Sequence, residues 1–197
     1  MERTHCRNLF IATVLWLGLG VAQAAPVVVD FDSFVDSDRL TTQVPGLVFS
    51  NTEVLEAGVS LNEIAFPPRS GTKVVSDLGG AITISFAAAM SSVGAYFTYG
   101  TRLVFSAYDA DANLLGSDVS AFLRNEAVSG ELGSVPNEFL GFAGSEIRRV
   151  VIAGDLLGAS FTMDDLTFES AVSVPEPASL ALALVGLAAL LRRGRRR

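Results

Sequence analysis

An all-β fold, with two antiparallel layers packed as a sandwich or jelly roll, is predicted for the body of this chain by three observations. Between Pro26 and Glu169 the apolar residues alternate or gather in short runs, and no long 3.6-residue period occurs. Clusters of Gly, Pro, Asn and Asp divide these runs at short intervals. The stretch has room for one domain of roughly ten short strands, the usual content of such a sandwich.

The elements follow in order. Val27–Phe34 opens with three valines and alternates from there, and Leu47–Ser50 and Thr52–Leu55 lie on either side of the turn residue Asn51. Further runs are Asn62–Phe66, Thr72–Ser76, Ala81–Phe86 and Ser92–Tyr99. Ala87–Met90 has helical composition, but a strong strand on each side makes it a bend. Leu103–Tyr108 and Leu114–Ala121 flank the polar stretch Asp109–Asn113, which reads as a hairpin loop. Phe139–Ala143, Ile147–Ile152 and Ser160–Glu169 complete the set.

The last run contains an irregularity. In "SFTMDDLTF", Phe161 and Met163 stand at odd positions and Leu166 and Phe168 at even ones. Strand side chains alternate with period two, so a regular strand cannot turn all four inward. A β-bulge at Asp164–Asp165 restores both halves to the core face and re-aims the two carboxylates.

The two ends differ from this body. Met1–Arg7 is basic, Leu9–Val21 is apolar, and Ala22-Gln-Ala24 is a small-x-small exit, the anatomy of a secretory signal peptide cleaved after Ala24 or Ala25. The only His, Cys and Trp (His5, Cys6 and Trp16) all lie in it. The mature chain therefore has no disulfide, no zinc site of the usual ligand set, no cysteine nucleophile and no Ser-His-Asp triad. Residues 25–170 hold 19 Asp/Glu against 7 Lys/Arg, a net of −12. So acidic a surface repels nucleic acid and anionic lipid, which leaves divalent cations, neutral glycans or proteins as partners.

Three sets of residues are candidates for chemistry. Asp30 and Asp32 on the first strand and Asp164 and Asp165 on the last are expected to converge, because the terminal strands of jelly rolls often adjoin. Calcium takes six to eight oxygens, carboxylates and backbone carbonyls among them, so a structural Ca2+ is the cofactor such a cluster would hold. The alternative is four solvated acids on an edge strand and a turn. Asp109-x-Asp-x-Asn113 resembles the start of a calcium loop, but Leu114 stands at the turn-glycine position and Ser120 at the bidentate-glutamate position, so a polar turn is the better interpretation. Tyr96, Tyr99 and Tyr108 offer aromatic faces for a sugar ring. Tyr99 shares the parity of Val93, Ala95 and Phe97 and belongs with the core or its rim, while Tyr96 has the opposite parity and faces out. Alternation sends only one of Arg148 and Arg149 outward, leaving the other to a sheet edge or an acid.

The chain closes with "VPEPASLALALVGLAALLRRGRRR". The apolar run Ala178–Leu191 would span about 21 Å as a helix, against about 30 Å of bilayer hydrocarbon. That is marginal for a permanent anchor, and the arginines hold its end in the cytoplasm. The tail resembles the PEP-CTERM sorting signal of Gram-negative bacteria, on Val174, Pro175, Glu176 and Pro177, the short apolar span, and Arg192 and Arg193 opening the terminal cluster. The resemblance implies a membrane protease-transpeptidase, exosortase, that recognises Pro175-Glu176-Pro177 and removes the tail. It also implies a transient inner-membrane intermediate, then the cell surface or extracellular space, in a setting of exopolysaccharide and biofilm. In the body, "VGAYFTYG", "AYDADANLLGS", "NEFLGFAG" and "FTMDDLTF" are similar to the β-rich domain of many such proteins and to jelly-roll carbohydrate-binding modules.

The predicted organisation is thus a signal peptide over 1–24, a β-sandwich over 25–170 and a sorting signal over 171–197. The expected role is non-catalytic, structural or adhesive, with exopolysaccharide or a surface glycan as partner. The alternatives are an extracellular glycoside hydrolase built on two carboxylates, whose separation would be roughly 5–10 Å, and a self-assembling interaction module.

Overall fold

Short apolar runs divided by turn residues give a molecule made of strands, with no helix among the described residues. The computed structural model describes residues 25–171. Nine strands form: β1 (Val27–Val29), β2 (Leu47–Ser50), β3 (Thr52–Glu56), β4 (Lys73–Asp77), β5 (Ile82–Tyr99), β6 (Val104–Tyr108), β7 (Leu114–Val119), β8 (Glu138–Ala153) and β9 (Phe161–Ser170). All of their pairings are antiparallel, in the order β3-β4-β9-β5-β8-β6-β7, with β1 also on β9 and β2 also on β5.

The two predicted layers are the two halves of this one sheet. β5 and β8 are long enough to serve in both. Ile82–Ser85 pairs with Arg149–Ile152, and Ser92–Phe97 pairs with Glu138–Ala143. Between these blocks the register slips at Ser85/Met90 and again at Met90/Ser92. Bulges bend a sheet strongly, and Ala87–Met90 is that corner, as its flanks predicted. Arg148 Nη1 donates to the Ala87 carbonyl there at 2.7 Å. One half consists of β2, the first part of β5, the last part of β8, β6 and β7. The other consists of β3, β4, β9, the last part of β5 and the first part of β8, with β1 beside β9. Aromatic contacts join the halves: Phe97 meets Phe105 at 6.4 Å, and Phe86 meets Phe168 at 5.6 Å. Ile82, Ile84, Phe97, Phe105, Ile152 and Phe161 lie in a single buried cluster, whose burial is the main driving force in a chain without a disulfide.

Several strands depart from their predicted bounds. Val27–Phe34 stops at Val29 because Phe31 takes φ of 64° and turns its ring fully inside. Asn62–Phe66 is a turn, closed by the Ala65 and Phe66 N–H groups on the Asn62 carbonyl. Its apolar residues mimic a strand, but Asn62 supplies the turn chemistry. The pairs Ala81–Phe86 with Ser92–Tyr99, and Phe139–Ala143 with Ile147–Ile152, are two continuous bent strands. Asp109–Asn113 is the hairpin loop as predicted, with Asp109 Oδ1 accepting the Asp111 and Asn113 N–H groups.

Both ends of the described chain leave beside the corner. Val27 stands opposite Phe168, and the Ala171 N–H donates to the Ala89 carbonyl at 2.9 Å. Among the described residues no helix is long and apolar enough to cross a membrane. The signal peptide with Ala22 and Ala24, and the tail with Val174 to Pro177, Arg192 and Arg193, lie outside the described residues.

Candidate functional site

The bulge in β9 sits where the hydrophobic phase slip placed it. Gly94 pairs with Thr167 and Tyr96 with Asp164, so two steps on β5 oppose three on β9. Asp165 absorbs the extra residue at φ of 47°. Phe161, Met163, Leu166 and Phe168 all turn inward as a result.

Asp164 is pressed against the sheet, 1% exposed. Its Oδ2 accepts the N–H groups of Arg69 at 2.7 Å and Ser70 at 3.0 Å, and its Oδ1 accepts the Asp165 N–H at 2.7 Å. Asp165 Oδ1 accepts the Ser70 hydroxyl at 2.7 Å. The same loop is held from its other end by Asp32, whose Oδ1 accepts the Thr72 N–H at 2.8 Å and the Lys73 N–H at 3.1 Å. Asp30 Oδ1 in turn accepts the Asp32 N–H at 3.2 Å. The first and last strands do adjoin, and Asp32, Asp164 and Asp165 converge on one segment, 69–73, Asp32 and Asp164 through its backbone N–H groups and Asp165 through the Ser70 hydroxyl. Each of the four acids therefore has a donor from the protein. Among the described residues no group of three or more His, Cys, Asp or Glu is gathered as a metal ion requires.

Burial raises the Asp164 carboxyl to about 6, against the Ser70, Asp165 and Arg69 N–H groups, which favour the ionised form. The charge of Asp165 adds to the rise.

Pinned in this way, the loop lays Arg69 across Tyr96, with its guanidinium carbon 4.5 Å from the ring centre. Tyr96 meets Phe139 edge to face at 5.3 Å. Gly94 and Gly141 pair directly across the two strands, and Phe139 lies over both. A Cβ on Gly94 would collide with its ring. One on Gly141 would stand 2.8 Å from the Val93 carbonyl oxygen and 3.2 Å from the Phe139 ring. The ring's other side is open, and Phe139 is 53% exposed. Arg69, Tyr96 and Phe139 thus form a cation-aromatic row on the outer side of the sheet.

The other two tyrosines lie elsewhere. Tyr99 is fully buried, donates its hydroxyl to Glu138, and has its phenol pushed up to about 12 by burial and by that carboxylate. It offers no face to a ligand, which corrects its inclusion among stacking residues. Tyr108 lies on the other half of the sheet under the Arg149 guanidinium, 4.8 Å from its ring centre, so the three tyrosines make no common platform. Arg148 reaches a carbonyl and Arg149 a ring, and among the described residues neither forms an ion pair with an acid, one of the two outcomes expected.

Sequence reasoning missed Phe139, Arg69 and the glycine pair. The signal was available in part, because a glycine inside a strand marks a close approach, and both "VGAYF" and "FLGFA" contain one. That Gly94 faces Gly141 depends on the slipped register.

After the body the sequence runs through the Pro-Glu-Pro, the apolar run and the arginine cluster. Residues 173–197 match the PEP-CTERM protein-sorting motif. The PEP-CTERM signal implies export through a membrane-anchored sorting intermediate to the cell surface or extracellular space, and it implies exosortase as the processing partner. No curated protein matches the chain. Among solved structures, the K2 cleaved adhesin domain of Lys-gingipain is 12% identical, with a TM-score of 0.44 over 73% of this chain and 99% of that one. The K1 domain of the same protein from Porphyromonas gingivalis W83 is 10% identical, with a TM-score of 0.45 over 75% and 99%. A xylanase 10B fragment from Clostridium thermocellum, comprising carbohydrate-binding and catalytic modules with xylohexaose, is 12% identical, with a TM-score of 0.34 over 73% and 29%. Overlaps this loose carry no argument about binding.

Proposed function

We propose that the mature protein is a non-catalytic structural or adhesive component of the cell surface or extracellular matrix, delivered there by its PEP-CTERM signal and in contact with exopolysaccharide. The sorting motif at residues 173–197 carries this reading. Two features of the body support it. The mature chain has no His or Cys for the commonest nucleophilic and zinc chemistries. Its strongly acidic surface suits a neutral polymer better than nucleic acid or anionic lipid.

The experiment is Glu176→Ala in the producing cell. With the Pro-Glu-Pro altered, uncleaved precursor is expected to accumulate in the membrane fraction, and the surface and medium pools are expected to fall several-fold. Unchanged pools would sink the proposal. An enzymatic role would instead require glycan cleavage lost on replacing either of two carboxylates.

A further inference from the structure

We infer that the Arg69–Tyr96–Phe139 row is a binding site for an extended neutral β-glucan chain, an assignment that rests on the surface-protein reading above. Sugar rings with equatorial substituents present a flat face of C–H groups, and an exposed aromatic ring is the side chain that buries such a face. Phe139 provides that surface. One side of its ring is spent on covering Gly94 and Gly141, and the residue remains 53% exposed.

The neighbours give the site direction. Tyr96 stands edge-on to Phe139, so it forms a side to the platform and not a second layer over it. Arg69, held above Tyr96, has no carboxylate partner among the described residues, and the guanidinium keeps donors for sugar hydroxyls. Its position is set through the backbone, because Asp164 grips the Arg69 and Ser70 N–H groups. Asp164 is thus a positioning residue for the site.

Charge selects among glycans. A body with a net of −12 repels uronate and sulfate polymers, and one exposed arginine does not reverse that field. The ligand is therefore neutral. Phe139 lies open on the outer side of β8, 53% exposed, and an open strand surface suits the interior of a long chain better than a chain end.

The test is native affinity electrophoresis of the processed protein recovered from cells or medium, in gels containing hydroxyethyl cellulose, laminarin or polygalacturonate. Retardation is expected in at least one of the two neutral β-glucans and not in polygalacturonate. Phe139→Leu keeps the glycines covered while removing the ring, and is expected to weaken binding tenfold or more. Arg69→Gln is expected to weaken it several-fold. Tyr108→Leu, which alters the cation-aromatic pair on the other half of the sheet, is expected to leave binding unchanged. Thermal melts of each variant confirm that it is folded. Migration unaffected by both neutral glucans would overturn the site, as would full binding by Phe139→Leu or stronger retardation in polygalacturonate. A surface-localised protein that ignores both glucans overturns this site and leaves the surface reading intact. Glucan binding by a protein that never leaves the cell does the reverse.

Discussion

Gly71→Ala is expected to destabilise the body strongly, through a clash with a single carboxylate. Gly71 has φ of 51°, and a Cβ there would fall within the Asp32 carboxylate. That carboxylate cannot simply swing away, because its Oδ1 holds the Thr72 and Lys73 N–H groups. The substitution thus adds left-handed strain of about 1 kcal/mol to the loss of two hydrogen bonds to a charged acceptor. The total is about 3 kcal/mol, allowing about 1 kcal/mol net for each partly exposed bond. In a domain of this size that lowers the melting midpoint by roughly 6–12 °C. The cause is coupled to Asp32. In an Asp32→Ala background the clash is gone, and Gly71→Ala is expected to cost only about 1 kcal/mol for its backbone angle. Urea melts of the four proteins in the cycle decide the matter. Additive costs would show that the two residues do not meet as described.

Asp164 should give the second large effect, and its size depends on pH. Asp164→Ala removes the acceptor of three N–H groups and is expected to cost about 3 kcal/mol near neutral pH, at roughly 1 kcal/mol for each donor left unpaired. Titration adds a separate signature. Burial raises the folded carboxyl from 3.8 to about 6, so between these values the folded state holds more protons than the unfolded chain. Stability from this group is fully present below about pH 4 and is lost as pH rises through about 6. Asp164→Asn cannot titrate. The stability of the wild type relative to this variant should therefore fall by about 1–2 kcal/mol between pH 4 and pH 7, allowing for partial solvent screening of the shift. Paired denaturant melts across that range measure it. A difference that grows with pH would mean that the hydrogen bonds outweigh burial, and that Asp164 titrates below the ordinary range.

These two predictions concern the same loop, and the sequence showed only part of it. The bulge was legible because four apolar residues with a phase break admit one solution when all must be buried. The meeting of the first and last strands was legible at the level of fold class. What the carboxylates would grip was not, because all but one of the donors from residues 69–73 are backbone N–H groups, and a backbone donor has no letter in the sequence. The corner at Ala87–Met90 was found from its flanks. Its consequence, that β5 continues through it and serves both halves of one sheet, depends on pairings some sixty residues away. Asn62–Phe66 failed for a local reason, since five residues are too few to separate a strand from a turn by periodicity alone. Phe139 was read only as the start of a strand. Its exposure follows from the register that sets Gly94 against Gly141, and the register follows from the slips at the corner.

The tail was the most legible feature, because a sorting signal is read by order and position and needs no fold. It also carries the central claim, that this acidic β-domain is exported, processed at both ends and left at the cell surface or in the matrix. Intact-mass measurement of the protein recovered from surface and medium tests that claim most directly. The expected species begins near Pro26 and ends near Pro175 to Pro177, having lost both apolar segments and all five terminal arginines. A full-length C-terminus ending at Arg197, found in the membrane fraction as the stable product, would contradict it.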